Sequence, residues 1–147
     1  MKYSLSKIFQ KMSGEVFVLR IEHVALYTNN LEEMKNFYTK YFNGIANKKY
    51  KNTKKGFESY FIFFESGSRL ELMHQKEICD AKTECNNLGT GFVHMAFSVG
   101  SKEKVDELTA TLVATGCLKA SEPRTTGDGY YESAIFDPDG NLIEITV

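Results

Sequence analysis

Charge imbalance is missing from this chain: 18 Lys and Arg stand against 19 Asp and Glu, for a net charge of -1. A nucleic-acid-binding protein normally carries a strong basic surplus, so that class is disfavoured. No apolar run approaches the ~20 residues that a membrane-spanning helix needs. The first residues also lack the continuous apolar core of a signal peptide. Cysteine is scarce, and Cys79, Cys85 and Cys117 form neither an even set nor a CxxC pair. That argues against a disulfide framework or a zinc knuckle, and for a reducing, cytoplasmic setting. Disorder is excluded by what is present, since 42% of the residues are hydrophobic and 13% aromatic. At 147 residues the chain can form one domain that buries roughly two-thirds of its unfolded surface.

The chain repeats itself. His23 opens His23-Val24-Ala25-Leu26, and 48 positions later Glu71 sits in Arg69-Leu70-Glu71-Leu72. His94 opens His94-Met95-Ala96-Phe97, and 50 positions later Glu144 sits in Asn141-Leu142-Ile143-Glu144-Ile145. Gly44 recurs as Gly116, and Glu58-Ser59 as Glu132-Ser133. Self-similarity at a fixed offset means duplicated architecture. Each copy reads strand, helix, three strands, an α+β pattern of two βαβββ modules at 16–75 and 91–147. The polar stretch 76–90 reads as their linker, and 1–15 as an N-terminal extension with Leu5, Ile8, Phe9 and Met12 at helical spacing.

Within the modules, Asn29-Asn30 offers an N-cap for a helix that stops at a left-handed Gly44. Asp137-Pro138-Asp139-Gly140 is a turn, because Pro presets φ at its second position and Gly accepts φ > 0 at its end. Strand alternation places His23 with Ala25 and Tyr27, Glu71 with Met73 and Gln75, His94 with Ala96 and Ser98, and Glu144 opposite Ile143 and Ile145. All four therefore avoid the helix-packed faces and share the concave side of the sheet. His74 falls on the other face and reads as peripheral. Arg124 falls in a Gly-rich loop beside the penultimate strand, and the lysines at 48, 49, 51, 54 and 55 read as a solvated cluster.

Two imidazoles and two carboxylates suit a borderline divalent ion, Ni²⁺ or Zn²⁺ first and Co²⁺ or Mn²⁺ next, better than Ca²⁺ or Mg²⁺. Four protein ligands on a six-coordinate ion leave two positions for adjacent oxygens of a substrate. A neighbouring carboxylate can then remove a carbon-bound proton.

The segments Ile21-Glu22-His23-Val24-Ala25, Arg69-Leu70-Glu71-Leu72, Gly91-Phe92-Val93-His94-Met95-Ala96-Phe97 and Asp137-Pro138-Asp139-Gly140-Asn141-Leu142-Ile143-Glu144 resemble the vicinal oxygen chelate superfamily (glyoxalase, bleomycin resistance, dioxygenase), and within it glyoxalase I, or lactoylglutathione lyase. The resemblance spans about Leu19 to Val147. It implies a glyoxalase-like curved sheet built from the two modules, with His23, Glu71, His94 and Glu144 as metal ligands and Glu144 also as the base. It further implies a homodimer, and a thiol hemithioacetal of methylglyoxal isomerised to a 2-hydroxyacyl thioester. Glutathione-using bacterial members typically carry an arginine four residues after the first ligand and an asparagine four after the second, where this chain has Tyr27 and Gln75. A thiol other than glutathione is the corresponding expectation. Related members suggest two alternatives: a methylmalonyl-CoA epimerase-like enzyme, whose second ligand is commonly Gln rather than Glu, and a metal-free drug-binding protein of the bleomycin resistance type.

Overall fold

The computed structural model describes residues 19–76, 78 and 91–147. The N-terminal extension, Cys79, Cys85 and nearly all of the linker lie outside the described residues. Two modules follow one another. The first contains β1 (His23–Tyr27), α1 (Leu31–Tyr41), β2 (Ile45–Ala46), β3 (Tyr50–Asn52), β4 (Phe57–Phe63) and β5 (Arg69–Gln75). The second contains β6 (His94–Ser98), α2 (Lys102–Ala114), β7 (Lys119–Thr125), β8 (Tyr131–Phe136) and β9 (Leu142–Thr146). Each module forms its own mixed sheet. The strand order is β1-β5-β4-β2, with β3 also on β4, in the first and β6-β9-β8-β7 in the second. β1 runs parallel to β5 and β6 parallel to β9, so the His strand and the Glu strand are neighbours in both.

The inward alternate residues make the core. Leu70, Leu72 and Ile62 lie beneath α1, which contributes Leu31, Met34, Phe37 and Tyr38; Ile135, Ile143 and Ile145 lie beneath α2, which contributes Val105 and Leu112. Thr109 of α2 donates to the Val105 carbonyl and hydrogen-bonds Ser133 of β8 at 2.6 Å in burial, which satisfies the Ser133 hydroxyl. α2 starts as its sequence predicts, with Ser101 Oγ accepting from Lys104 N. Its end is a Schellman-type cap: Gly116, at φ +97°, donates to Val113, and Cys117 N donates to Leu112 O.

The end of α1 differs from expectation. Asn43, at φ 53°, takes the left-handed position, a conformation that Asn tolerates better than most residues. Gly44 is needed for space instead, since a Cβ there would meet Ile62 Cγ2 at 2.4 Å. After α1 the first module has two short strands, β2 and β3, both on β4, and Asn47 between them accepts from Phe61 N through its side chain. Arg124 lies in β7 rather than in a loop. Pro123 is tolerated there because β7 is a sheet edge and its register shifts between Ser121 and Arg124.

The two modules meet through their inner faces. Phe97, on the helix side of β6, packs against Phe42 (4.5 Å between ring centroids), Phe64 (5.1 Å) and Tyr38 (6.2 Å) of the first module. Tyr38 Oη also donates to Asp137 Oδ2 at 2.9 Å. The expected turn at 137–140 is present, closed by Gly140 N to Asp137 O, and its buried aspartate further accepts from the backbone of Asp139 and Asn141 and the side chain of Asn141. Burial pushes the Asp137 carboxyl up, against those hydrogen bonds.

Candidate metal centre

His23 and Glu71 stand on neighbouring strands with their side chains on the same, outer face. Register explains it: His23 lies opposite Arg69 and Ala25 opposite Glu71, so His23 and Glu71 are diagonal neighbours, with Nε2 and Oε2 3.9 Å apart. The second module copies the arrangement. His94 lies opposite Leu142 and Ala96 opposite Glu144, which puts His94 Nε2 3.4 Å from Glu144 Oε2. Both imidazoles are about 40% exposed and both carboxylates 20% or less, so in each pair the imidazole is the more accessible partner.

The structure brings His23 to Glu71 and His94 to Glu144. It does not bring the two pairs together: among the described residues no three His, Cys, Asp or Glu side chains are grouped closely enough to hold one ion. Each pair supplies two donors only. Its donors fit a shared ion, because ligands with bonds of about 2.1 Å to one metal stand roughly 3 to 4 Å apart.

The surroundings of the two halves differ. In the first, His23 Nδ1 lies 2.5 Å from Glu22 Oε2, and Glu22 also forms an ion pair with Arg69. The Arg69 guanidinium, and then the His23 ring, hold the Glu22 carboxyl down to about 2. Arg69 stacks on Phe61 at 4.1 Å, and Phe61 meets the His23 ring edge-on at 5.5 Å. In the second half, Glu132 of β8 and Arg124 of β7 face each other at 3.5 Å. Glu132 lies opposite Thr146, on the face that carries Glu144; burial and then the charge of Glu144 push its carboxyl up. The recurring Glu58 is not its counterpart. Ser59 pairs with Met73 on the outer face, whereas Glu58 turns to the helix side and binds Lys49 and Lys51. Glu22, Arg69 and Glu132 were not singled out from the sequence. A register count from Phe61 opposite Glu71 and Ala134 opposite Glu144 would have revealed Glu132.

His74 is peripheral as expected, with its ring Nδ1 donating to the Thr28 carbonyl at 2.9 Å. Of the lysine cluster, Lys49 bridges Glu32 and Glu58, and Lys51 pairs with Glu58. A cleft of about 940 Å³ between the modules reaches Arg69, Phe64, Phe97 and His94, but its walls include neither His23 nor Glu144. The two His/Glu faces are open surfaces in a single chain, which is why neither forms an enclosed cavity.

With the paired modules and the duplicated His/Glu diagonals in view, the chain belongs to the Glyoxalase/Bleomycin resistance protein/Dioxygenase superfamily, whose model matches residues 20–145. It is 27% identical over 128 residues to the uncharacterized protein YqjT of Bacillus subtilis, covering 85% of this chain and 96% of that one. Among solved structures it superposes on glyoxalase I of Zea mays with a TM-score of 0.69 at 21% identity, over 86% of this chain. The chain spans only 44% of the maize enzyme's length. The trypanothione-dependent glyoxalase I of Leishmania major is similar in fold at a TM-score of 0.67 and 20% identity, covering 88% of this chain and 86% of that one. At these identities the structural likeness defines the fold. No helix among the described residues is long and apolar enough to cross a membrane.

Proposed function

We propose that the chain is a metal-dependent isomerase of the glyoxalase I type. Its metal centre forms between two copies, each contributing one half: His23 and Glu71 from one, His94 and Glu144 from the other. The observation that carries this reading is the duplicated His/Glu diagonal on two outward faces, with donor pairs at 3.9 and 3.4 Å. A divalent ion there, Ni²⁺ or Zn²⁺ first, supplies Lewis acidity toward two adjacent oxygens of the substrate. The substrate class is the hemithioacetal of methylglyoxal with a thiol. Glu144 removes the proton from the carbon that bears sulfur and returns it to the neighbouring carbon, so the product is a 2-hydroxyacyl thioester with no net gain or loss of protons or electrons. By strand register Phe61 and Met73 share the outer face of Glu71.

The thiol differs from glutathione in this reading, because Tyr27 is an exposed phenol on the β1 outer face, where an arginine would pair with a carboxylate. A cytoplasmic setting agrees with the free thiol of Cys117. The test is to strip the protein with chelator, reload it with Ni²⁺, Zn²⁺, Co²⁺ or Mn²⁺, and follow thioester formation from methylglyoxal with several thiols. Metal-dependent turnover with at least one thiol is expected. Isomerisation undiminished by chelator would overturn the metal, and epimerisation of a CoA thioester without methylglyoxal turnover would replace the reaction.

A further inference from the structure

The two histidines of the proposed centre are held differently. His94 faces Glu144 through Nε2, and its Nδ1 has no hydrogen-bond partner among the described residues. His23 is gripped at its other nitrogen, since Nδ1 lies 2.5 Å from Glu22 Oε2 while Nε2 faces Glu71. Glu22, with 53% of its side chain exposed, is itself tethered on one side. Its backbone carbonyl accepts from Arg69 N at 3.0 Å, the preceding carbonyl of Ile21 accepts from Ser68 Oγ at 2.5 Å, and its carboxylate forms an ion pair with the Arg69 guanidinium. Arg69 is fixed in turn by stacking on Phe61 and by its place opposite His23 in the β1–β5 ladder.

A neutral imidazole carries its proton on one nitrogen and its lone pair on the other, and a carboxylate paired with arginine can only accept. Glu22 therefore selects the ring form with the proton on Nδ1. That leaves the Nε2 lone pair aimed at the face shared with Glu71.

We infer that Glu22, clamped by Arg69, is a positioning residue that fixes His23 in its Nδ1–H form and thereby preorganises the first half of the metal centre. This rests on the reading of His23 as a ligand. A carboxylate behind a ligating histidine orients the ring and strengthens it as a donor, and loss of such a partner typically weakens metal binding about 10- to 100-fold.

Two measurements test it. Ring ¹⁵N shifts of the metal-free protein at a pH where the histidines are neutral should show His23 with its proton on Nδ1, and that preference should be lost in Glu22→Ala and weakened in Glu22→Gln, whose amide can accept from Nδ1–H or donate to a bare Nδ1. Calorimetric titration of the stripped protein with Zn²⁺ should show affinity reduced about 10- to 100-fold in Glu22→Ala and by less in Glu22→Gln. A role confined to tying β1 to β5 would lower the melting temperature of Glu22→Ala and leave both readouts unchanged. A wild-type His23 with its proton on Nε2, or Zn²⁺ affinity unaltered in Glu22→Ala while His23→Ala abolishes it, overturns the clamp alone. Unchanged Zn²⁺ affinity in His23→Ala itself overturns the ligand reading.

Discussion

Glu71 and Glu144 occupy equivalent register positions, opposite Ala25 and Ala96, yet their neighbours are not equivalent. Glu144 has Glu132 near enough for its charge to raise the Glu132 carboxyl, and Glu71 has the apolar ring of Phe61 directly opposite. With Glu144 as the base, Glu144→Gln retains an oxygen donor but cannot take up a proton. Turnover should fall by about 10²- to 10⁴-fold at saturating metal while most bound metal is kept. Glu71→Gln should lose far less, and equal losses in steady-state assays of the two would show that either carboxylate serves as base. All four candidate ligands were legible as residues, because period-two alternation alone sorts a strand's side chains between two faces. Glu132 was not legible, since matching Glu58 to it shifts the alignment by one position and a one-residue slip reverses every face. Glu22 escaped for a different reason: it precedes the ladder, so no alternation rule predicts that its carboxylate curls back to its own neighbour.

At the scale of elements, the start of α1 falls at Asn30 as expected, although its side chain makes no capping bond, whereas the ends depended on contacts that no local pattern contains. Gly44 illustrates this. It looks like a helix-ending glycine, but its constraint is the Ile62 side chain of β4 against which the chain turns. Gly44→Ala should destabilise the fold by about 1–3 kcal/mol through overpacking, measured by urea denaturation. Glu32 of α1 links helix and sheet, accepting from Lys35, Lys49 and Tyr60. Lys35 and then Lys49 hold its carboxyl down from 4.5 to about 2. A carboxyl lowered in the folded state contributes stability above its unfolded value and loses it as pH falls toward the folded one. The melting temperature of wild type should therefore exceed that of Glu32→Gln above pH 4.5, and the gap should close between 4.5 and about 2. Because Glu32 is half exposed, the gap is small and should shrink in high salt.

For the whole molecule, the duplicated plan was legible but the way its halves meet was not. Pseudo-twofold symmetry suggests that four ligands converge at one point. The structure instead joins the modules through Phe97, Phe42, Phe64 and the Tyr38–Asp137 hydrogen bond, all on the helix-packed side. Alternation says which face a residue takes and nothing about which surface that face will meet. The proposed centre therefore takes a second copy, in a symmetric pair where each first half would meet its partner's second half.

Mixing two inactive variants tests that arrangement most directly. His23→Ala and His94→Ala homodimers should each bind no metal, because every centre lacks an imidazole. After co-expression or joint refolding, a mixed pair has one doubly defective centre and one intact centre. Random pairing should therefore restore metal content and turnover to about one quarter of wild type. Recovery of that size is the predicted result, and no recovery in a preparation shown to contain mixed pairs would contradict a centre shared between copies.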